Sequence, residues 1–234
     1  LAEFEKAGQM PGLTIVYLPN DHTEGPKKDH PTPRAYVADN DLATGRIVEA
    51  LSKSKFWKDM AVFVNEDDPQ TGADHVSGYR SLCLVASPYA KRGAVVSRFY
   101  NQASVLHTIC NILGMPPMNQ TVAAAPLMDE CFTPTPDPTP FACLPAGVAL
   151  DEMNPDPKDP KAKAMLDLLP QFRAMDFSRP DRLTPAQQDV FSRYVWSTLR
   201  PDAPFPADYA GPHGKGLKAL GLSLESIGAE PDDD

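Results

Sequence analysis

Long apolar runs are missing from this sequence of 234 residues, because no stretch of about 18 or more apolar residues occurs in it. This absence argues against a membrane-spanning helix. Clusters of Lys and Arg are missing too, and the net charge is -9, so phosphate contacts of the kind that nucleic-acid binding needs are not indicated. There is no CxxC pair for a structural zinc knuckle and no G-x-S-x-G nucleophile elbow.

The four cysteines have two kinds of surroundings. Cys83 and Cys110 lie in apolar stretches, which are typical of buried free thiols. Cys131 and Cys143 bracket the proline-rich sequence FTPTPDPTPFA, where a disulfide would compensate for a missing core. We therefore expect a Cys131–Cys143 disulfide and, with it, a periplasmic or secreted protein.

The first part of the chain alternates strand and helix patterns. Apolar, β-branched runs predict strands buried on both faces at residues 13–19, 60–68 and 80–89. Apolar residues at helical spacing predict helices at 35–55 and 102–115. This order of elements indicates an α/β fold.

The composition changes near residue 115, and many of the 26 prolines lie beyond it. The proline-rich stretch predicts an irregular wrapping segment, followed by two amphipathic helices at 159–175 and 184–200. We interpret residues 1–132 as one domain or part of one, and residues 133–234 as an extension.

Acidic and imidazole side chains follow two of the predicted strands. A strand, a helical crossover and a second strand normally form a right-handed parallel pair, so both carboxyl ends lie at the ligand-binding edge of the sheet. Carboxylates gathered there repel one another unless a cation lies between them. A mixture of carboxylates and imidazoles suits zinc, manganese or iron. The predicted metal ligands are Asp21, His22, Asp67, Asp68 and His75, with Asn20 and Glu66 as neighbours that support them.

Plainer interpretations of these residues remain open. An isolated Asp-His pair is more often part of a polar loop than of a metal site. His30 is close enough in sequence to reach the site, but KKDHPTP also reads as an exposed loop. His107, within an apolar helix, is more often a packed core histidine.

Several motifs, taken together, resemble a known family. In order they are LPNDHT, PTPRAYVADNDLATGRIVEALSKSKFWKD, VFVNEDDPQTGADHVSGYRSLCLVASPYAKRGAV and FYNQASVLHTICNILGMPPM. They resemble the C-terminal half of the bacterial phosphoesterase family, which includes phospholipase C-type and acid phosphatase-type enzymes within the alkaline phosphatase superfamily. The resemblance covers roughly residues 10–132, and residues 150–210 resemble an extension that some members carry.

The resemblance implies an alkaline phosphatase-like sandwich with a mostly parallel sheet, of which the C-terminal half is present. It implies metal-dependent hydrolysis of phosphoric esters, with Asp21 and His22 matching an Asp and a His after one strand. Asp67 and Asp68 match a second pair, and His75 matches a distal histidine. Many members separate the first Asp from its His by a helical turn and have Asp-His as the second pair. Which of residues 20–22 binds the metal is therefore left open. The expected metal is zinc or manganese, and calcium or magnesium is an alternative at the acidic pair.

The superfamily's Ser or Thr nucleophile comes from the N-terminal half of the domain, and no motif for it precedes residue 13. We therefore expect the catalytic nucleophile to lie outside this chain, in an N-terminal half that is covalently attached or a separate partner. Two other readings stay open. In the first, the chain is a non-catalytic, metal-binding or structural remnant of the fold. In the second, it is a generic α/β domain whose acids are solvated.

Overall fold

The computed structural model describes residues 1–66, 81–159, 162–176, 183–200 and 202–207. They form α-helices together with one small sheet, a mixed α/β composition. In chain order the elements are α1 (Ala2–Ala7), α2 (Pro33–Ser52), β1 (Val62–Asn65), β2 (Cys83–Ala86), α3 (Gln102–Ile112), α4 (Gln120–Ala124), α5 (Lys163–Arg173) and α6 (Pro185–Leu199). None of the helices in this part of the chain has the length and apolar character needed to cross a membrane.

The described residues divide into two compact units. The first contains residues 1–21, 38–66 and 81–147. The second combines residues 22–37 with the described residues from 148 onward. The sequence-based division at residue 132 stays an interpretation.

Strands β1 and β2 form a two-stranded antiparallel sheet in the first unit. Val62 pairs with Ala86, and Asn65 pairs with Cys83. The strands predicted within 60–68 and 80–89 are therefore present, but they are not buried on both faces, since Cys83 and Leu84 of β2 are exposed. The expected mostly parallel sheet is not found among the described residues, because their only named strand pair is antiparallel.

The prediction of a strand at residues 13–19 is wrong. These residues form no strand, and their apolar side chains are exposed: Ile15 by 85% and Tyr17 by 75%. No backbone hydrogen bond to another described segment holds residues 13–18. A β-branched run indicates a strand that fits a sheet, but it does not supply the neighbouring strand that buries it.

Both helices predicted in the first part of the chain are present. Helix α2 begins at Pro33, which suits the first helical position, and the Thr32 hydroxyl accepts a hydrogen bond from the Ala35 N–H (3.2 Å). At α3, Asn101 and Ser104 form a capping box. The helix is followed by Gly114 at φ +65°, as expected of a helix stop.

The proline-rich segment is anchored at Phe141. Its N–H donates to the Ser52 hydroxyl (2.9 Å), and its ring meets Trp57 edge-on with centroids 6.0 Å apart. The Arg92 guanidinium lies 4.3 Å from the centre of the same ring. The Phe141 ring thus helps to hold this segment, together with backbone hydrogen bonds from Thr133 to Tyr89 and from Asp137 to Pro88.

The predicted disulfide is wrong, because all four cysteines are free thiols. The Cys143 Sγ lies against α2, 3.8 Å from the Leu42 carbonyl oxygen. Cys131 lies in a 3-10 turn (Asp129–Cys131), where its carbonyl accepts from the Lys91 N–H. The two thiols therefore have different neighbours. Cys110 is buried as expected, but the residue Cys83 is exposed.

Helices α5 and α6 form the predicted amphipathic pair. The rings of Phe172 and Tyr194 stack with centroids 4.0 Å apart. Thr184 caps α6 through the Gln187 N–H, and Pro185 occupies the first helical position. The start of α6 is thus the one that the sequence predicts.

Candidate functional site

Three of the predicted site residues lie in one 3-10 turn, Pro19–His22, directly after the exposed apolar run. The side-chain amide of Asn20 donates to an Asp39 carboxylate oxygen on α2 at 2.5 Å. This hydrogen bond fastens the turn to the helix. Asn20 therefore supports the turn, and Asp39 is a supporting residue that the sequence did not reveal. The predicted role of Asn20 beside a metal site stays a prediction.

The side chains of Asp21 and His22 are available for ligands. Asp21 is half-buried and His22 is exposed, and neither makes a hydrogen bond or ion pair with any residue that the structure describes. Successive residues of a 3-10 helix project about 120° apart. The two side chains therefore leave the turn in different directions, which does not favour adjacent positions on one ion.

The other predicted ligands follow β1. Glu66 is tied by its backbone, since its N–H donates to the Leu82 carbonyl (3.0 Å) and its carbonyl accepts from the Ser81 hydroxyl (3.1 Å). Asp67, Asp68 and His75 lie outside the described residues. Within the described part of the chain, no three His, Cys, Asp or Glu side chains are grouped to hold a metal ion. The predicted metal cluster stays a prediction.

The loop that follows the turn, residues 23–32, has an unusual backbone. Thr23 has φ 51°, Gly25 has φ 60° and Asp29 has φ 63°. Thr23 is β-branched, so a left-handed conformation strains it. Its hydroxyl oxygen accepts from the Gly25 N–H at 3.0 Å. Strained residues of this kind persist where surrounding structure holds them, and they concentrate at functional sites.

The surrounding structure for this loop is the segment 152–156. Pro31 and Met153 form an isolated antiparallel bridge. The Thr32 N–H donates to the Glu152 carbonyl (2.8 Å), and the Asn154 N–H donates to the His30 carbonyl (2.9 Å). The 23–32 loop and the 152–156 segment are therefore paired like two short strands.

Asn154 is the buried centre of this pairing, with 7% of its surface exposed. Its side-chain nitrogen lies within hydrogen-bond distance of four backbone carbonyl oxygens. They belong to Gly25 (3.0 Å), Lys27 (3.0 Å), His30 (3.1 Å) and Pro31 (2.9 Å). An amide nitrogen carries two protons, so the four oxygens share them.

Glu152 makes the charged contacts beside it. Its carboxylate accepts from the Thr32 hydroxyl (2.6 Å) and the Arg34 Nε (2.7 Å), and the Arg34 Nη2 adds a second contact. The Arg34 hydrogen bond holds the pKa of Glu152 below its usual range, with Thr32 contributing and burial opposing. The same contact raises the pKa of Arg34. A further ion pair joins Lys28 to Asp156 (3.1 Å).

The remaining histidines have different positions. The His107 Nδ1 lies 2.7 Å from the Ala125 carbonyl oxygen, so the ring is half-buried and hydrogen-bonded, as expected of a packed histidine. His30 is half-buried and belongs to the 23–32 loop. Its role as a ligand stays open.

Comparison with protein-family models finds a match for the first part of the chain. Residues 1–116 match the model of the Phosphoesterase family. No curated protein and no solved structure matches the chain. The matched residues include the 19–22 turn, the 23–32 loop, α2, both strands and α3, whereas the 152–156 segment lies beyond them.

Proposed function

Because residues 1–116 belong to the Phosphoesterase family, we propose that the protein hydrolyses phosphoric esters with the help of divalent metal ions. The family match carries the proposal. The turn that presents Asp21 and His22 supports it, since a carboxylate and an imidazole are ordinary metal ligands and neither side chain is bonded to a residue in the described part of the chain.

The donor set fits a transition metal better than magnesium alone. Asp21, His22, Asp67, Asp68 and His75 would together hold two ions. An ion bound by imidazole would be zinc or manganese, and for the ion at Asp67 and Asp68 calcium or magnesium is also suitable. Bound metal would polarise the phosphoryl oxygens and lower the pKa of the attacking hydroxyl. Because the turn directs Asp21 and His22 apart, we assign them to different ions, or one of them to the phosphate itself.

We further propose that an N-terminal half of the domain, covalently attached or separate, supplies the Ser or Thr nucleophile and completes an alkaline phosphatase-like sandwich. The exposed run at residues 13–17 supports this, because an apolar segment without strand neighbours is suited to join a parallel sheet. A periplasmic or secreted location stays a proposal, without the disulfide that first suggested it.

The experiment compares the chain alone with the chain co-expressed with such an N-terminal half. The chain alone should release little product from a chromogenic phosphate ester, and the assembled protein should turn over once zinc or manganese is added. Asp21→Asn should abolish most of this turnover. Asp41→Asn, an identical change at an exposed position of α2, should leave it intact. Equal loss in both variants would contradict the role of Asp21.

The alternative is a non-catalytic, metal-binding or structural remnant of the fold. Metal bound in a stoichiometric amount, without turnover even in the assembled protein, would support the remnant. Robust hydrolysis by the chain alone would contradict both the remnant and an external nucleophile.

A further inference from the structure

We propose that Asn154 and Glu152 are positioning residues for the loop that follows His22, so that the 152–156 segment is a working part of the active site. This proposal rests on the proposed function, because it concerns the same turn. It assigns a role to residues that lie outside the family-matched part of the chain.

The first argument is that the loop does not hold itself. Among the described residues, its own backbone supplies one turn hydrogen bond, from the His30 N–H to the Lys27 carbonyl (3.3 Å). Thr23 and Asp29 have positive φ, which is unfavourable for residues with a side chain and persists where surrounding structure holds it, whereas Gly25 adopts positive φ freely. The contacts from residues 152–156 supply that support.

The second argument concerns charge. Four carbonyl oxygens point their partial negative charges at one place, and the Asn154 amide nitrogen occupies it. Only a donor is stable there, because an acceptor would face four others in a buried position. An Asp has almost the same shape as an Asn but presents only acceptors when ionised. The site therefore distinguishes these two residues by charge rather than by size.

The third argument is the path from Asn154 to the candidate ligand. Of the four residues that provide these carbonyls, Gly25 is the nearest to His22 along the chain. It follows His22 by three residues, and the strained Thr23 lies between them. At the other end of the loop, Glu152 accepts from the Thr32 hydroxyl, and the same hydroxyl oxygen accepts the N–H of Ala35 at the start of α2. Both ends of the loop are thus fixed by the one segment.

The test uses the full chain assembled with its N-terminal half and compares Asn154→Asp with Asn119→Asp. Asn119 caps α4 by accepting the Val122 N–H (2.9 Å), a position where Asp serves as well as Asn. Asn154→Asp should speed hydrogen exchange of the amides in residues 23–32 by about 10-fold or more and leave α5 and α6 unchanged. It should lower kcat by about 10- to 100-fold, the range for groups that orient metal ligands, with a smaller change in KM.

The loss should shrink as the pH is lowered, because a protonated Asp carboxyl again provides a donor. Asn154→Ala, which removes the donor without adding an acceptor, should have an intermediate effect and serves if Asn154→Asp fails to fold. Asn119→Asp should match the wild type in exchange and in kcat.

Unchanged exchange in the 23–32 loop would overturn the proposal. So would a loosened loop with unchanged kcat, which would make the contact structural only. If the wild-type assembly binds zinc or manganese but hydrolyses nothing, the proposed function fails. Weaker metal binding by Asn154→Asp, measured by titration calorimetry, would then still support the positioning role, and unchanged binding would refute it.

Discussion

The segments on either side of the Pro19–His22 turn both differ from what their sequences predict. The segment that was expected to be buried is exposed, and the segment that was expected to be an exposed loop is held by contacts. Residues 13–17 read as a buried strand, yet they are exposed and have no strand partner among the described residues. Residues 23–32 read as a plain polar loop, yet the 152–156 segment holds them through backbone pairing, a buried amide and the Lys28–Asp156 ion pair. Apolar character measures what a segment gains from burial, whereas order depends on whether partners are present for its backbone groups.

The largest effect is expected from a substitution within residues 13–17, which tests whether this exposed segment joins the sheet of the N-terminal half. Ile15→Asp should change the free energy of unfolding of the chain alone by less than about 0.5 kcal/mol, because the side chain is 85% exposed. In the assembled protein it should bury an unpaired charge, abolish association and lower turnover by more than about 100-fold. Co-purification and phosphate ester turnover measure both results. Normal assembly by Ile15→Asp would show that the run stays exposed.

The next effect tests how the turn is fastened to α2. Asp39→Ala removes the acceptor of the Asn20 amide and should lower turnover by about 10-fold, with metal affinity falling in parallel. Asp41→Ala, on the same helix but exposed, should have no such effect. Steady-state kinetics on the assembled protein would show the difference. A similar loss from both variants would point to helix stability instead.

The third effect concerns the charged contact of the loop. Glu152→Gln should lower the free energy of unfolding by about 1–2 kcal/mol, since the Glu152 and Arg34 side chains are 27% and 25% exposed and hydrogen-bonded. Glu49→Gln is the matched control, in an ion pair whose Lys53 side chain is 58% exposed, and should cost less than about 0.5 kcal/mol. Urea unfolding at pH 7 measures both.

The pH dependence of this contact has a defined sign. Because the pKa of Glu152 is lowered on folding, its contribution is present above the unfolded-state pKa of about 4.3 and is lost as the pH falls through the folded-state pKa. The difference between wild type and Glu152→Gln should therefore shrink below about pH 4. A constant difference across this range would contradict the ion pair.

The smallest effect is expected at Thr23. Thr23→Asn should stabilise the chain by about 0.5–1 kcal/mol, because Asn tolerates positive φ and its side chain can still accept from the Gly25 N–H. Thr44→Asn within α2 lacks this benefit and should not stabilise. Turnover of the assembled protein should persist in Thr23→Asn. Its loss would show that the reaction needs the Thr23 hydroxyl.

Local signals predicted much of the fold. The Thr184-Pro185 start of α6 and the Gly114 stop after α3 follow from capping residues. Helical spacing predicted α2, although the helix begins two residues before and ends three residues before the predicted bounds. The direction in which β1 and β2 pair does not, because it depends on contacts between distant residues. The prediction of a Cys131–Cys143 disulfide failed for the same reason, since the spacing of two cysteines along the chain does not reveal whether their Cβ atoms approach each other.

The candidate site was predicted in part. Asp21 and His22 follow an apolar run, and that local pattern drew attention to them. Glu152 and Asn154 were missed because their partners are 118 to 129 residues away along the chain. Within EMNPDP, the asparagine reads as an ordinary turn residue before proline. Nothing in the sequence around Asn154 indicates that its side chain contacts Gly25.

The separation between Asn154 and its loop has a consequence for biosynthesis. A chain emerging from the ribosome exposes residues 23–32 long before residue 154 exists, although N-terminal regions usually fold first. The carbonyls of Gly25, Lys27, His30 and Pro31 must remain hydrated until then, and closing so long a loop is entropically costly. The region that carries the family signature thus matures only after synthesis has passed well beyond it, and expression designs that stop at residue 116 would release it without its last structural component.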